Sequence, residues 1–321
     1  MKRRTFVLGS SALVSSSKAF AQTYPAHPVR VIVPFTPGGM MDNVSRLIGE
    51  RMARELHQPL VIDNRAGANG RIGTDAVAKA VPDGYTLLAA AIGPLAINIH
   101  VSKAPYDAQR DFQPIMLIAT NDVVVVINPK LPITTVAEFI AYAKSSTAKM
   151  KYGSAGIGSA PHLTGELLKR AIGADMVHVP YKGDSAAIAD VVNGTVDFSI
   201  STVAATIGLL RGGSLRAIAS TGSVRSQVLP DVPTLDESGL KGFYAETWIG
   251  LCAPAKTPTS VIDRLYEAAR LSLADPELRQ KLIAGGNNIV GSTPQEFGAF
   301  LAAENAKWGE VVRAANVRLD E

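Results

Sequence analysis

Short apolar runs rich in valine and isoleucine alternate with amphipathic stretches along most of this chain. The first run, at 29–33, is stopped by Pro34, and the apolar positions between Val44 and Met52 then share one face of a helix. The alternation continues downstream, which predicts an α/β fold with parallel, doubly wound sheets. Strands are predicted at 59–63, 85–91, 123–127, 151–153, 177–179, 196–200 and 215–219, and helices at 72–80, 136–144, 161–171, 185–193, 260–274, 276–284 and 294–314.

Two longer apolar segments interrupt this alternation. One is 111–128, which the polar residues 120–122 break in the middle, and the other is 246–253. A break of this kind suits a strand that leaves one domain and enters another. The two segments predict a two-strand hinge, with a ligand cleft between two domains that close on it. The predicted boundaries are 22–122 with 246–321 for a discontinuous first domain and 123–245 for the second.

Two loops that contain glycine each lead into a predicted helix. Glycine loop 1, residues 34–39, follows the first strand, and Asp42 or Asn43 is predicted to cap the next helix. Glycine loop 2, residues 154–159, repeats this arrangement in the second domain. Glycines let the backbone approach a ligand closely, and the N–H groups and dipole at a helix start favour an anion. The two loops could hold the two ends of one anion, although each is also compatible with an ordinary βα turn.

The first 21 residues have the pattern of a secretory leader. Lys2-Arg3-Arg4 precedes a modest apolar run, and Ala19-Phe20-Ala21 predicts cleavage after Ala21. The adjacent arginines also resemble a twin-arginine signal, so Sec and Tat export both stay open. Together with Lys18, these residues carry all of the formal charge of +4. The mature chain is therefore neutral, and nothing in its charge indicates binding to nucleic acid or to an anionic membrane surface.

Several sequence patterns suggest an enzyme or a cofactor site, but each lacks a feature that such a site requires. Ser154 and Ser159 lie close in sequence to His162, as in a serine hydrolase, but the G-x-S-x-G elbow is missing. No G-K-[ST] follows either glycine loop, and no G-x-G-x-x-G occurs, which argues against nucleotide binding. The five histidines lack metal-ligand spacing, and one cysteine, Cys252, cannot build a thiolate site. We therefore expect no metal and no cofactor, and we expect Cys252 to be a buried structural thiol.

Other residues are candidates for the wall of a cleft. Gly93 follows the third predicted strand and Tyr181 follows the strand at 177–179, where open α/β sheets bind ligands. Asp197 lies in an apolar strand, so it needs a hydrogen-bond partner if it is buried. For Trp248, at the predicted hinge, core packing and a place on the cleft wall are equally compatible with the sequence.

Six sequence blocks, in order, resemble those of a known family. They are VPFTPGGMMD at 33–42, IDNRAGANGRIGTDAVAKAVPDGYTLL at 62–88, YGSAGIGSAPHLTGELL at 152–168, HVPYKGDSAAIADVVNGTVDF at 178–198, LPDVPTLDESGLKGF at 229–243 and WIGLCAPAKTP at 248–258. Over essentially its whole mature length the chain resembles the periplasmic substrate-binding receptors of tripartite tricarboxylate transporters, also called Bug receptors.

The resemblance implies a type II periplasmic binding protein fold. It implies a monomeric receptor, not an enzyme, that captures a small carboxylate between its domains and delivers it to membrane permease subunits. An exported serine hydrolase and a sensor that feeds a signalling partner are the alternatives. In such receptors, the loops that match 35–42 and 154–159 grip the carboxylates. The candidate ligand-binding residues are Phe35, Thr36, Gly38, Gly39, Met40, Met41, Asp42, Gly93, Ser154, Ala155, Gly156, Ser159, His162, Tyr181 and Asp197.

Met40 and Met41 depart from the pattern of the family. The family commonly has a small residue and then threonine, serine or asparagine before the aspartate, and this chain has two flexible apolar thioethers. The substitution favours a carboxylate with an apolar body, such as an aromatic acid. Methionines packed into the core of the first domain are the alternative.

Overall fold

A computed structural model describes the chain over residues 24–145 and 149–318. The predicted leader, residues 1–21, lies outside the described residues. Within them, the strands and helices follow the predicted alternation closely. The strands are β1 (Val29–Val33), β2 (Leu60–Asn64), β3 (Thr86–Ala91), β4 (Phe112–Ile127), β5 (Lys151–Ser154), β6 (Val177–Pro180), β7 (Phe198–Thr202), β8 (Arg216–Ser220), β9 (Glu246–Pro254) and β10 (Asn287–Ile289).

Most of the helices also lie where the periodicity predicts them. The α-helices are α1 (Met40–Leu56), α2 (Arg71–Ala78), α3 (Asn98–Val101), α4 (Val136–Ser145), α5 (Ala160–Ile172), α6 (Asp184–Asn193), α7 (Val203–Arg211), α8 (Thr259–Leu273), α9 (Pro276–Ala284) and α10 (Pro294–Ala315). A 3₁₀ turn at Ala68–Gly70 precedes α2, and a π-helical turn at Gly93–Ile97 precedes α3.

Several of these elements differ from the prediction. Helix α7 follows β7 without a loop, so its apolar sequence reads as a continuation of the strand. The π-helical turn and α3 likewise follow β3 almost directly. Strand β10 has three residues and is defined by its pairing with β4, which lies far away in sequence.

The long strand β4 belongs to two sheets. In the first, sheet A, β1 lies between β2 and β3 and runs parallel to both, and β9 pairs antiparallel with β3 and with the first part of β4. In the second, sheet B, the last part of β4 pairs with β7 and β8, and β5 lies between β7 and β6, parallel to both. The polar break at 120–122 marks the place where β4 passes from one sheet to the other.

Strand directions place the carboxyl ends of the two sheets opposite each other. In sheet A, β3 and β4 are both antiparallel to β9, so β4 leaves this sheet at the carboxyl ends of β1 and β3. In sheet B, β7 is antiparallel to β4, and Thr202 at its carboxyl end pairs with Val123, where β4 enters the sheet. Strands β5 and β6 run parallel to β7 and end on the same side. We call these two opposed borders the facing edges.

A buried aromatic cluster packs beside β4 and β9. Trp248 of β9 and Trp308 of α10 are 1% and 0% exposed. Their indole N–H groups both donate to Oε2 of Glu304, at 3.1 and 2.9 Å, and Lys307 forms an ion pair with the same carboxylate. Trp248 is therefore a core residue. Cys252 is fully buried as predicted, and this burial raises the pKa of its thiol.

Candidate functional site

Glycine loop 1 lies at the facing edge of sheet A, between β1 and α1. Gly39 is the N-cap of α1, with extended backbone (φ −78°, ψ 175°), so the predicted cap at Asp42 or Asn43 is wrong. Asp42 lies in the first helical turn and is 3% exposed. Its Oδ2 accepts from the Gly38 N–H at 2.9 Å and from Arg46 Nε at 3.0 Å. The hydrogen bond from Arg46 lowers the pKa of the Asp42 carboxyl, so this group is ionised. Through its hydrogen bond from the Gly38 N–H it holds glycine loop 1 against the start of α1.

Glycine loop 2 lies at the facing edge of sheet B and is fixed by its own hydrogen bonds. Ser159 is the N-cap of α5, and its hydroxyl accepts from the His162 N–H at 3.3 Å and donates to the Gly156 carbonyl at 2.7 Å. The Gly158 N–H donates to Nδ1 of His162 at 3.0 Å. Ser154 is fully buried, and the Gly156 N–H donates to its hydroxyl at 3.2 Å. The loop therefore has a defined shape before any ligand binds.

Two stacked histidines, His162 and His178, are hydrogen-bonded to residues of glycine loop 2. The rings of His162 and His178 lie 3.8 Å apart, and Nε2 of His178 lies 2.7 Å from the Ser154 hydroxyl. Burial lowers the pKa of both histidines to about 4, so both are neutral at pH 7. Because Nδ1 of His162 accepts from Gly158, its proton is on Nε2.

This arrangement does not match a serine hydrolase. The structure pairs Ser154 with His178, whereas the sequence suggested His162 as the base. Ser154 has no exposed surface, so its hydroxyl cannot reach a substrate. Ser159, the other candidate nucleophile, is used to cap α5.

The neutral histidines make the stability of the receptor depend on pH. A histidine whose pKa falls from 6.5 unfolded to about 4 folded binds its proton more readily when unfolded, so stability is lost as pH falls from 6.5 towards 4. His162 alone is expected to remove about 2 kcal/mol of unfolding free energy between pH 7 and pH 5. Urea unfolding at both pH values measures this. The His162→Gln variant should show a shallower loss, whereas the exposed-site variant His57→Gln should match the parent. Equal pH dependence in all three proteins would contradict the assignment.

Other candidate residues border glycine loop 1 at the same facing edge. Phe35 is partly buried, and Gly93 begins the π-helical turn after β3. Beside Gly93 lies Asn69, an exposed residue with a left-handed backbone (φ 52°). Asn69 exchanges hydrogen bonds with Asn98: its side-chain amide donates to Oδ1 at 2.8 Å, and its carbonyl accepts from Nδ2 at 2.7 Å. Asn69 is not among the predicted site residues, although an asparagine between Gly67 and Gly70 is a typical signal for a special loop conformation.

The loop between β6 and α6 meets glycine loop 2 through its backbone. The Tyr181 N–H donates to the Ser154 carbonyl at 3.0 Å, but the Tyr181 hydroxyl donates to Asp190 Oδ2 at 2.6 Å, against α6. Burial and this carboxylate raise the pKa of Tyr181 to about 12. Tyr181 thus presents its main chain, and not its phenol, to the edge. Burial also raises the pKa of Asp184, the first residue of α6.

Asp197 does not belong to this site. It precedes β7, and its carboxylate accepts from the Lys151 N–H at 2.7 Å, at the amino ends of β5 and β7. The facing edge lies at the other end of β7, a strand of five residues, or about 16 Å away. The sequence placed Asp197 in an apolar strand, but only the strand direction decides which end it occupies.

The methionines divide between core and surface. Met41 is 8% exposed and packs in the core between sheet A and α1, as the alternative interpretation held. Met40 is partly exposed and packs against the same core. The buried position of Met41 therefore does not support the hypothesis that the ligand is an aromatic acid.

The chemistry available at the facing edges is that of an anion site. Four helices with nine residues or more, α1, α5, α6 and α7, begin at these edges and direct the positive ends of their dipoles there. The N–H groups of Gly39 and Ile157 donate no hydrogen bond within the described ranges. Across 24–145 and 149–318, no group of three or more histidine, cysteine, aspartate or glutamate side chains is arranged to hold a metal ion.

The sequence model described as "Tripartite tricarboxylate transporter family receptor" matches residues 44–317. The chain belongs to this family. Among curated relatives, the receptor is 36% identical to Protein BugT of Bordetella pertussis over 301 residues, covering 93% of this chain and 92% of BugT. The resemblance to Bug receptors is thereby confirmed, and with it the assignment as a receptor and not an enzyme.

Solved structures agree with the fold. The receptor is 34% identical to R. palustris Rpa4515, solved with adipate, with a TM-score of 0.79 over 92% of this chain and 99% of that one. It is 33% identical to MatC (Rpa3494) from Rhodopseudomonas palustris, solved with bound malate, with a TM-score of 0.75 over 90% of this chain and 100% of that one. The predicted periplasmic binding protein fold is therefore confirmed.

Proteins of this family are periplasmic receptors. Between residues 24 and 318, leaving aside 146–148, no helix has the length and apolar character needed to cross a bilayer.

Proposed function

We propose that this receptor binds a small carboxylate between two domains, 22–122 with 246–321 and 123–245, and delivers it to the membrane subunits of a tripartite tricarboxylate transporter. The observation that carries the proposal is the opposition of the two glycine loops. Each lies at a facing edge, each leads into a long helix, and each is fixed by hydrogen bonds to its own domain. Relatives solved with adipate and malate support a carboxylate as the ligand.

The internal bonding of the loops indicates which donors would meet the carboxylate. The Gly38 N–H already donates to the Asp42 carboxylate, and the Gly158 N–H already donates to the His162 ring. The N–H groups of Gly39 and Ile157, together with those of the first turn of α1 and of Ala160, are left for the ligand, because Pro161 has no N–H and that of His162 is taken by Ser159. Charge-assisted hydrogen bonds contribute about 1.5–3 kcal/mol each, so a few of them can hold a carboxylate without an arginine.

Delivery would depend on closure of the two domains. Strand β4 passes from sheet A to sheet B, and the chain returns to sheet A at β9, which supports the predicted two-strand hinge. A ligand that contacts both loops stabilises the closed form selectively, and the permease would recognise that form. The receptor would act as a monomer after export by Sec or Tat and removal of residues 1–21.

A thermal-shift screen of residues 22–321 against carboxylic acids and their amides tests this proposal. An acid at 100 times its dissociation constant should add about 2.7 kcal/mol to the unfolding free energy and raise the melting temperature by several degrees. The matching amide should give no shift, because it lacks the charge that the helix starts favour. Equal shifts with acids and amides, or none with any acid of a broad panel, would contradict the proposed carboxylate site.

A further inference from the structure

The tip of glycine loop 2 carries an exposed isoleucine. Ile157 is 50% exposed, although it lies at the facing edge among residues that are mostly buried or polar. Exposing a large aliphatic side chain to water is unfavourable in the free protein. A single exposed aliphatic residue needs no explanation on an ordinary surface, but here its position is fixed by the loop.

The backbone on both sides of Ile157 is held by contacts within the domain. Gly156 before it has a backbone (φ 124°) that other residues rarely adopt, and the Gly156 carbonyl accepts from the Ser159 hydroxyl. Gly158 after it is held by His162. One side of the loop lies against the Tyr181 carbonyl, which a side chain at Gly156 would approach to 3.2 Å. The exposed half of Ile157 therefore lies on a loop of fixed shape at the facing edge of sheet B.

The facing edge of sheet A offers little exposed aliphatic surface that could contact a ligand. Met41 is buried in the core, Met40 is partly exposed but packs against the same core, and Thr36 and Gly38 are exposed but not aliphatic. Phe35 is half-buried and packs next to Gly70 and Pro94. Glycine loop 2 thus carries a large exposed aliphatic side chain, that of Ile157, beside backbone N–H groups that suit a carboxylate.

We infer that the side chain of Ile157 contacts the hydrocarbon body of the bound carboxylate and makes the receptor prefer acids with an unsubstituted body over their hydroxylated analogues. This rests on the proposed function. Burial of the exposed half of an isoleucine accounts for about a fivefold preference. A hydroxyl against the same side chain loses its hydrogen bonds to water and finds no partner, which increases the preference.

Isothermal titration calorimetry with matched acids tests the inference. The probes are adipate against its tetrahydroxy analogue galactarate, and benzoate against 3,4-dihydroxybenzoate. The proteins are the parent, Ile157→Asn, and Val81→Asn as a control, because Val81 is 68% exposed and lies before β3, away from the facing edges. We expect the parent to favour the unsubstituted member of a pair, Ile157→Asn to reduce that preference at least fivefold, and Val81→Asn to leave it unchanged.

Each other outcome has a distinct meaning. An unchanged preference in Ile157→Asn, a parent that favours the hydroxylated acid, or a parent that binds neither member of either pair overturns the inference. If in the last case other acids still shift the melting temperature, the proposed carboxylate site stands. If no acid of the broad panel does so, the proposed function fails as well. Far-ultraviolet circular dichroism of the three proteins excludes misfolding as the cause.

Discussion

An Asp42→Ala variant is expected to lose about 2 kcal/mol of unfolding free energy and to bind its carboxylate at least tenfold more weakly. The carboxylate of Asp42 is 3% exposed and accepts from the Gly38 N–H and from Arg46, so its removal leaves two donors without their acceptor. Hydrogen bonds to a charged group contribute about 1.5–3 kcal/mol. The affinity falls because Gly38, which has a left-handed backbone (φ 87°), is no longer held in place. Urea unfolding and calorimetry of the parent and variant measure the two effects.

A matched control lies on the same helix. Glu50 pairs with Arg54 at the same spacing of four residues, but both side chains are exposed. Exposed pairs of this kind contribute little, so Glu50→Ala should change stability by no more than about 0.5 kcal/mol and leave affinity unchanged. The Asp42→Asn variant should fall between, because an amide oxygen still accepts from Gly38. If Asp42→Ala and Glu50→Ala behaved alike, the anchoring role of Asp42 would have to be abandoned.

Replacement of Gly156 by alanine is expected to weaken carboxylate binding about thirtyfold or more. The Gly156 backbone (φ 124°) is one that alanine rarely adopts, and the new Cβ would lie 3.2 Å from the Tyr181 carbonyl. Such strain costs about 1–3 kcal/mol, and the loop relieves it by changing the backbone that presents the Ile157 N–H. Calorimetry with the best acid from the thermal-shift screen measures the loss.

Gly173, at the other end of α5, provides the control. It also has a positive φ, 63°, but a Cβ there would meet nothing within 4 Å. Gly173→Ala should therefore lose about 1 kcal/mol of stability and keep the affinity of the parent. A Gly156→Ala protein that is folded and binds with unchanged affinity would remove glycine loop 2 from the proposed site.

Much of the fold could be predicted because its signals are local. The bounds of β1 and α9 match the prediction, and the apolar periodicity of α5, α8 and α10 placed these helices to within about one residue. Both glycine loops were predicted for the same reason, because a strand, a glycine loop and a helix follow one another along the chain. The domain boundaries remain a prediction, although the passage of β4 between sheets at 120–122 agrees with them.

The roles of single polar residues depended on the tertiary structure. Asp42, Ser154 and Tyr181 all lie near the predicted site, but each side chain is held by a partner within its own domain: Arg46, His178 and Asp190. Asp197 lies at the amino end of its strand, far from the facing edge. The spacing of four residues between Asp42 and Arg46 on one helix is a local signal, but the partners of Ser154 and Tyr181 and the place of Asp197 could not follow from residue types and spacing.

The sequence by itself determined which segments become strands, helices and glycine loops, because apolar periodicity and glycine act through neighbours along the chain. Only the tertiary structure decided which donors and side chains those loops leave open. That choice depends on contacts between distant residues, such as Ser154 with His178, and on strand direction, which local patterns do not encode.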